Sequence, residues 1–213
     1  MQEAIWKGVT LGLLLSIAVG PVLFSIIKQS INNGVGGGLA FVAGVSLSDI
    51  SLAVAANFFT ELFTFLDARR AAIGIIGSTF LISVGIYFFF FKKIKVNEQG
   101  LQLLKFRKRD YLKILLAGYF MNALNPAIII FWLTTSTAFI DSSLQERIIL
   151  FSIALIFVLL ADLGKVFAAG RLRKKLTVKN IKLLNRVNGL ILIGFGLALI
   201  AGLLFFKEAA SRF

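Results

Sequence analysis

Neither cysteine nor histidine occurs in the 213 residues. Without cysteine there is no disulfide, no thiolate metal site and no cysteine nucleophile. Without histidine, nucleophile–histidine catalysis, the common zinc sites and histidine proton relays are excluded as well. Any proton chemistry therefore falls to carboxylates, and these are scarce: ten acids stand against 23 lysines and arginines. Proline is scarcer still. The only two, Pro21 and Pro126, each interrupt a long apolar segment near its middle. Proline lacks an N–H and clashes with the preceding turn, which costs about 3 kcal/mol or more inside a helix. In a bilayer, backbone groups freed this way survive only where they are buried in protein or line a wet cavity. Paired breaks of this kind point to a transporter.

What is abundant is apolar. The chain is 58% hydrophobic with 22 phenylalanines and a mean hydropathy of +0.91, far beyond what a soluble domain can cover. Six stretches are long enough to cross the hydrocarbon, which takes roughly 20 helical residues each. They lie near residues 5–31, 35–60, 71–91, 111–139, 147–170 and 187–206. They predict an all-α membrane protein in which no soluble domain fits and function lies within the membrane. The amino terminus has Lys7 before an apolar run, but the run is too long for a signal peptide and no cleavage site follows; it reads as a retained first helix.

The net charge of +13 has a topological explanation. The first, third and fifth connections with their adjoining helix ends carry 16 of the 23 cations: Lys28, eight between Lys92 and Lys113, and seven between Arg171 and Arg186. The positive-inside rule puts that side in the cytoplasm and both termini outside. Attraction to anionic lipid accounts for the rest, and no nucleic-acid partner is expected.

One polar stretch, residues 92–110, divides the chain into three-helix halves, 1–91 and 111–213, with a basic cytoplasmic linker between them. In each half the first helix holds a central proline and the second a lone carboxylate, Asp49 or Asp162. Three helices repeated once must insert in opposite orientations, so the expected architecture is a pair of inverted repeats with a site at their interface. Trp6, Tyr87 and Tyr111 fall near predicted helix ends, where amphipathic rings favour the interface. Gly36, Ala40, Gly44 and Ser48, and again Gly194, Ala198 and Gly202, make small-residue faces suited to close packing. A homodimer through the sixth helix is left open.

At the breaks, Asn125-Pro126 reads as an N-cap followed by the first helical residue, and Gly20-Pro21 is a weaker version of the same grammar. Each half-helix would present free N–H groups near the membrane middle, where an anion such as a carboxylate can bind. Asn122 lies one turn from Asn125. The competing reading is a plain kink healed by Ser16 or by neighbouring helices. Asp49 sits near the bilayer centre, where charge is expensive and usually faces an interior cavity. It is a candidate proton carrier, or else a structural carboxyl held among Ser46, Ser48 and Ser51. Asp162 and Lys165, three residues apart, face one side of a helix and can form a structural ion pair or a gated proton site. Asn32-Asn33-Gly34 with Gly36-Gly37-Gly38 lacks the Lys-Ser or Lys-Thr of a phosphate loop and reads as a tight turn.

Several of these segments together resemble the LysE/RhtB family of amino-acid exporters. They are Val19-Gly20-Pro21, Gly44 through Asp49, Gly118 through Pro126, Asn185 through Gly189, and Gly194 through Leu197. The resemblance implies export of amino acids or their derivatives across the bacterial inner membrane by proton exchange, with no cofactor and no enzymatic activity. Gly20, Pro21, Asp49, Asn122, Asn125 and Pro126 would be pathway positions. Val19 stands where the family signature has a first proline, and Ala127 where relatives often carry lysine, so the cargo stays open. Divalent-cation or heavy-metal efflux and a non-transporting assembly role are the alternatives. The cation reading is weakened by a thin ligand set of two aspartates, and no resident metal is expected.

Overall fold

The computed structural model describes residues 2–58, 69–91, 108–173 and 178–210. Among them there are seven helices and no strand: α1 (Gln2–Ile17), α2 (Pro21–Phe58), α3 (Arg70–Ile86), α4 (Lys108–Ala123), α5 (Pro126–Ala138), α6 (Leu144–Arg173) and α7 (Val178–Ala210). Residues Tyr87–Phe91 continue α3 as a π-helical turn. Four stretches are long and apolar enough to cross a membrane: Pro21–Asn57, Gly74–Phe91, Leu144–Leu172 and Lys179–Gly202. The pair α4 and α5, bent by 61°, makes a fifth. Outward-facing Leu14, Phe90, Ile130, Leu160 and Leu190 are more than half exposed, as expected of an apolar belt meeting lipid rather than water.

Both prolines begin helices. Pro21 opens α2 after three non-helical residues, 18–20, and Pro126 opens α5. Proline suits this position because its missing N–H would find no intrahelical acceptor there anyway. Ser16 does bond back to the Gly12 carbonyl at 2.5 Å, but the chain past it is interrupted rather than merely kinked.

α2 is not straight. Gly34 has φ 70° and ψ −179°, a backbone state that favours glycine. Pro21 and Asp49 line one cavity, although 28 residues of straight helix would hold them about 42 Å apart. The chain therefore folds back at Gly34, and the expected tight turn is a single residue with a helical arm on either side. α6 begins with a capping box: the Glu146 N–H donates to Ser143 Oγ at 3.3 Å and the Ser143 N–H to Glu146 Oε2 at 3.2 Å, so two amides at the helix start are satisfied.

Close backbone approach at glycine joins the helices. A Cβ on Gly44 would strike the Leu115 carbonyl of α4, and one on Gly118 the Phe41 carbonyl of α2. Gly8 and Gly12 put α1 against α6 in the same way, and Gly85 meets Gly189 between α3 and α7. Arg147 at the start of α6 donates to the Asn57 carbonyl and Oδ1, at 2.7 and 2.8 Å, near the end of α2.

Three expectations need correction. The small-residue face of Gly194, Ala198 and Gly202 makes no close helix contact among the described residues, since a Cβ on Gly194 or Gly202 would meet none of their atoms within 4 Å. α6 and α7 outrun their predicted spans, because lysine and arginine are good helix formers and extend a helix past the hydrocarbon. Lys28, expected at the cytoplasmic end of the first span, is not at a solvated helix end: it lies inside the first arm of α2 and is 3% exposed. The linker expected at 92–110 falls outside the described residues except for 108–110, which already belong to α4.

Candidate functional site

The two breaks meet at one cavity. About 160 Å³ in volume, it is bounded by residues 18–23 on one side and by Asn122, Asn125, Ala127 and Ile128 on the other. Asp49, Asp162 and Lys165 also reach it. Of the expected site residues, Gly20, Pro21, Asp49, Asn122, Asn125, Asp162 and Lys165 line this space; Pro126 supports it as the first residue of α5. The space has room for several waters or one small solute.

Asp49 is 3% exposed, and its partners are not neighbouring serines. Oδ1 accepts from Asn122 Nδ2 at 2.8 Å and from Trp132 Nε1 at 3.0 Å. Asn122 is itself placed by Ser48 Oγ at 3.2 Å and the Val45 carbonyl at 3.4 Å, while Ser51 turns back to the Leu47 carbonyl. With both donors spent on Oδ1, Oδ2 has no hydrogen-bond partner among the described residues. That oxygen keeps its acceptor capacity open beside the cavity that Asp49 lines.

Trp132 is the residue that sequence reasoning missed. It is 1% exposed and wedged between Phe131 and Phe151, with ring centroids 5.3 and 5.9 Å away. In the sequence it looks like one more aromatic in an apolar run. The available signal was its spacing: Trp132 follows Asn125 by seven residues, two helical turns, and so shares the face of α5 that the break aims inward.

The two half-helix ends differ, contrary to the expectation that both present free amides. Asn125, extended at φ −84° and ψ 109°, caps α5 by accepting the Ala127 N–H at 3.1 Å. The Ile128 N–H goes to the Asn125 carbonyl, also at 3.1 Å. With Pro126 having no N–H, the start of α5 is self-satisfied. At α2, Phe24 N–H reaches the Gly20 carbonyl at 3.4 Å, but the amides of Val22 and Leu23 find no acceptor among the described residues. The unoccupied donors and the partial positive charge of a helix start thus lie at α2.

Across the cavity, Lys165 Nζ lies 2.7 Å from Asp162 Oδ1. Asp162 is nearly buried and Lys165 about a quarter exposed, so the ion pair forms and borders the cavity as well. The wall therefore holds one anchored carboxylate, one paired carboxylate and one uncapped helix start, set among Leu, Ile, Val and Phe side chains.

A family model described as LysE type translocator matches residues 13–202. A Bacillus subtilis (strain 168) protein described as uncharacterized membrane protein YrhP is 27% identical over 172 residues, covering 77% of this chain and 78% of the relative. No solved structure matches the chain. The matched region takes in both helix breaks, the returning arm of α2 and the Asp162–Lys165 pair, and this chain, a multi-pass membrane protein, belongs to the LysE type translocator family.

Proposed function

We propose that the chain is a secondary transporter, not an enzyme, that exports amino acids or small amino-acid derivatives across the bacterial inner membrane in exchange for protons. The observation that carries the proposal is the cavity wall. A carboxylate can dock at the open amides of α2, while an ammonium faces Asp49 Oδ2. Protonation of Asp49 from the outer side would remove the attraction and release the cargo, and deprotonation toward the cytoplasm would reset the site. Asp162 and Lys165 neutralise each other until cargo or a proton separates them.

The same reading takes the helices as six spans in two inverted repeats, with both termini outside. Supporting it, the main helix pairings correspond when the halves are exchanged. α1 on α6 becomes α4 on the returning arm of α2, and α3 on α7 maps onto itself. In each half, the segment before a proline break packs on the carboxylate-bearing helix of the other half, an arrangement that fits a site at a repeat interface. Divalent-cation efflux has less support, since among the described residues no three Asp, Glu, His or Cys side chains group together.

The test is a screen of extracellular metabolites from overexpressing cells, followed by proteoliposomes loaded with each amino acid that rises. Efflux should accelerate when the lumen is made alkaline relative to the medium, so that protons enter as cargo leaves, and it should fail in Asp49→Asn. Metal resistance without amino-acid efflux would favour the cation reading. A folded protein that changes neither would favour an assembly role.

A further inference from the structure

Polar side chains are buried a second time, between the cavity and the basic segments. On the first arm of α2, Ser25, Lys28 and Asn32 follow one another at helical spacing, with exposures of 1%, 3% and 2%. α7 faces them with Asn185 and Asn188, 2% and 4% exposed. The Asn32 amide donates to Asn185 Oδ1. Farther along, Val22 and Ile26 of α2 share the first cavity with Phe195 and Leu199 of α7, so these helices run antiparallel. One turn from the Asn32–Asn185 contact toward the cavity, Lys28 comes level with Asn188. The contact of Gly85 with Gly189 brings α3 to the same height, and Phe88 lies with its ring over the Lys28 ammonium.

This packing leaves donors and acceptors stranded. Among the described residues, the Ser25 hydroxyl and both side-chain polar atoms of Asn188 have no hydrogen-bond partner, and neither does Asn185 Nδ2. Buried amides and hydroxyls are normally paired, and a cation at such depth usually marks a functional path. Lys28 brings a positive charge beside the unpartnered hydroxyl and amide, and no acid lies in either stripe. None of Ser25, Lys28 and Asn188 lines the Asp49 cavity, and Lys28 is seven residues from Pro21, about 10 Å along the helix.

We propose that Lys28, Ser25 and Asn188 form a second station that binds a carboxylate, on the basic-segment side of the cavity, covered by Phe88 in this structure and uncovered when α3 and α7 move away from α2. The assignment rests on the exporter reading above and adds an order of events. Cargo is first held by its carboxylate at Lys28, with its ammonium leading toward Asp49 and Asp162.

The cysteine-free chain permits a direct test. Ser25→Cys supplies the one thiol, and its modification is timed in membrane vesicles of each sidedness with an anionic sulfonate methanethiosulfonate and a cationic trimethylammonium one. Rates are normalised to those of 2-mercaptoethanol. From the basic-segment face the anionic reagent should react about tenfold faster, as expected for a cleft carrying a fixed positive charge. Lys28→Met should abolish that preference and Lys28→Arg should keep it. Sodium propionate should slow the reaction, and propylammonium should not. Should Ser25→Cys not fold, Asn188→Cys is read the same way. A thiol inert to both reagents, while Lys113→Cys at the surface reacts, would show dry packing and overturn the assignment. Equal normalised rates, or a preference that survives Lys28→Met, would overturn it too. Labelling does not require transport, so the station can fail while amino-acid efflux stands, and the reverse.

Discussion

Two substitutions at Asp49 separate its structural from its chemical role. Asp49→Leu removes the acceptor shared by Asn122 Nδ2 and Trp132 Nε1, at 2.8 and 3.0 Å, and costs two buried hydrogen bonds between helices. Figures from soluble proteins put each orphaned group at about 1–3 kcal/mol. Interhelical hydrogen bonds in membranes average closer to 0.6 kcal/mol, because the unfolded chain in lipid also finds partners. The smaller figure is the relevant one here, and the pair should cost about 1 kcal/mol, or a fall in Tm of about 2–4 °C for a chain of this size. Asp49→Asn keeps an oxygen for both donors and turns its amide into the cavity, so its Tm should stay within about 2 °C of the parent, a change below 1 kcal/mol. It cannot take up and release a proton, however, and efflux driven by a proton gradient should fall to background. Unfolding is followed in detergent by heating, and efflux in proteoliposomes with and without the gradient. Asp49→Leu melting with the parent would refute the hydrogen-bond argument. Gradient-driven efflux through Asp49→Asn would refute the proton-carrier argument.

Three further outcomes are expected. Asn125→Ala deletes the cap on α5 and should lower stability by about 1 kcal/mol, while Asn125→Ser should recover most of the loss in the same melting assay. Gly44→Ala drives a Cβ into the Leu115 carbonyl and should cost about 1–3 kcal/mol by overpacking; Gly194→Ala meets open space and should be neutral or stabilising by up to about 1 kcal/mol. Lys165→Met strands a nearly buried carboxylate and should destabilise by about 3–5 kcal/mol, most of which the double variant Asp162→Asn/Lys165→Met should restore. A double variant that regains efflux along with stability would mark the pair as structural, and one that regains stability alone would mark it as part of the transport cycle.

The parts of this site legible in the sequence are those written in local chemistry. Asn125-Pro126 specifies a cap and a helix start within two residues, and Gly34 specifies a reversal in one. Asp49 betrayed itself by depth, since a lone acid far from either end of an apolar helix has few reasons to be there. Whatever depends on a second helix was hidden. Serines adjacent in sequence looked like Asp49's partners, but the side chains that reach it come from residues 122 and 132, across the α2–α4 and α2–α5 contacts. Lys28 read as a helix-end charge because only three residues separate it from the Asn32-Asn33-Gly34 turn. Its burial depends on where Phe88 and α7 come to lie, which no local pattern encodes. Helix ends were misplaced for a related reason: hydrophobicity reports the thickness of the hydrocarbon, whereas helix length follows propensity beyond it.

The inequality of the two half-helix starts bears on how an inverted repeat could work. If the halves exchange roles in the transport cycle, each must pass through a state in which its own break engages cargo. In this structure only α2 has amides to offer, because Asn125 spends its side chain on Ala127 N–H. Swinging that side chain aside would give up about 1 kcal/mol of cap, a gap that a carboxylate arriving at the vacated amides could offset by hydrogen bonds of the same kind. Gly20, with no side chain, lacks such a cover, so α2 is permanently ready where α5 is conditionally so. A cap that competes with cargo makes the second half respond to occupancy. On this argument Asn125→Ala should bind cargo more tightly and turn it over more slowly, since the anion would no longer have a competitor to drive it off.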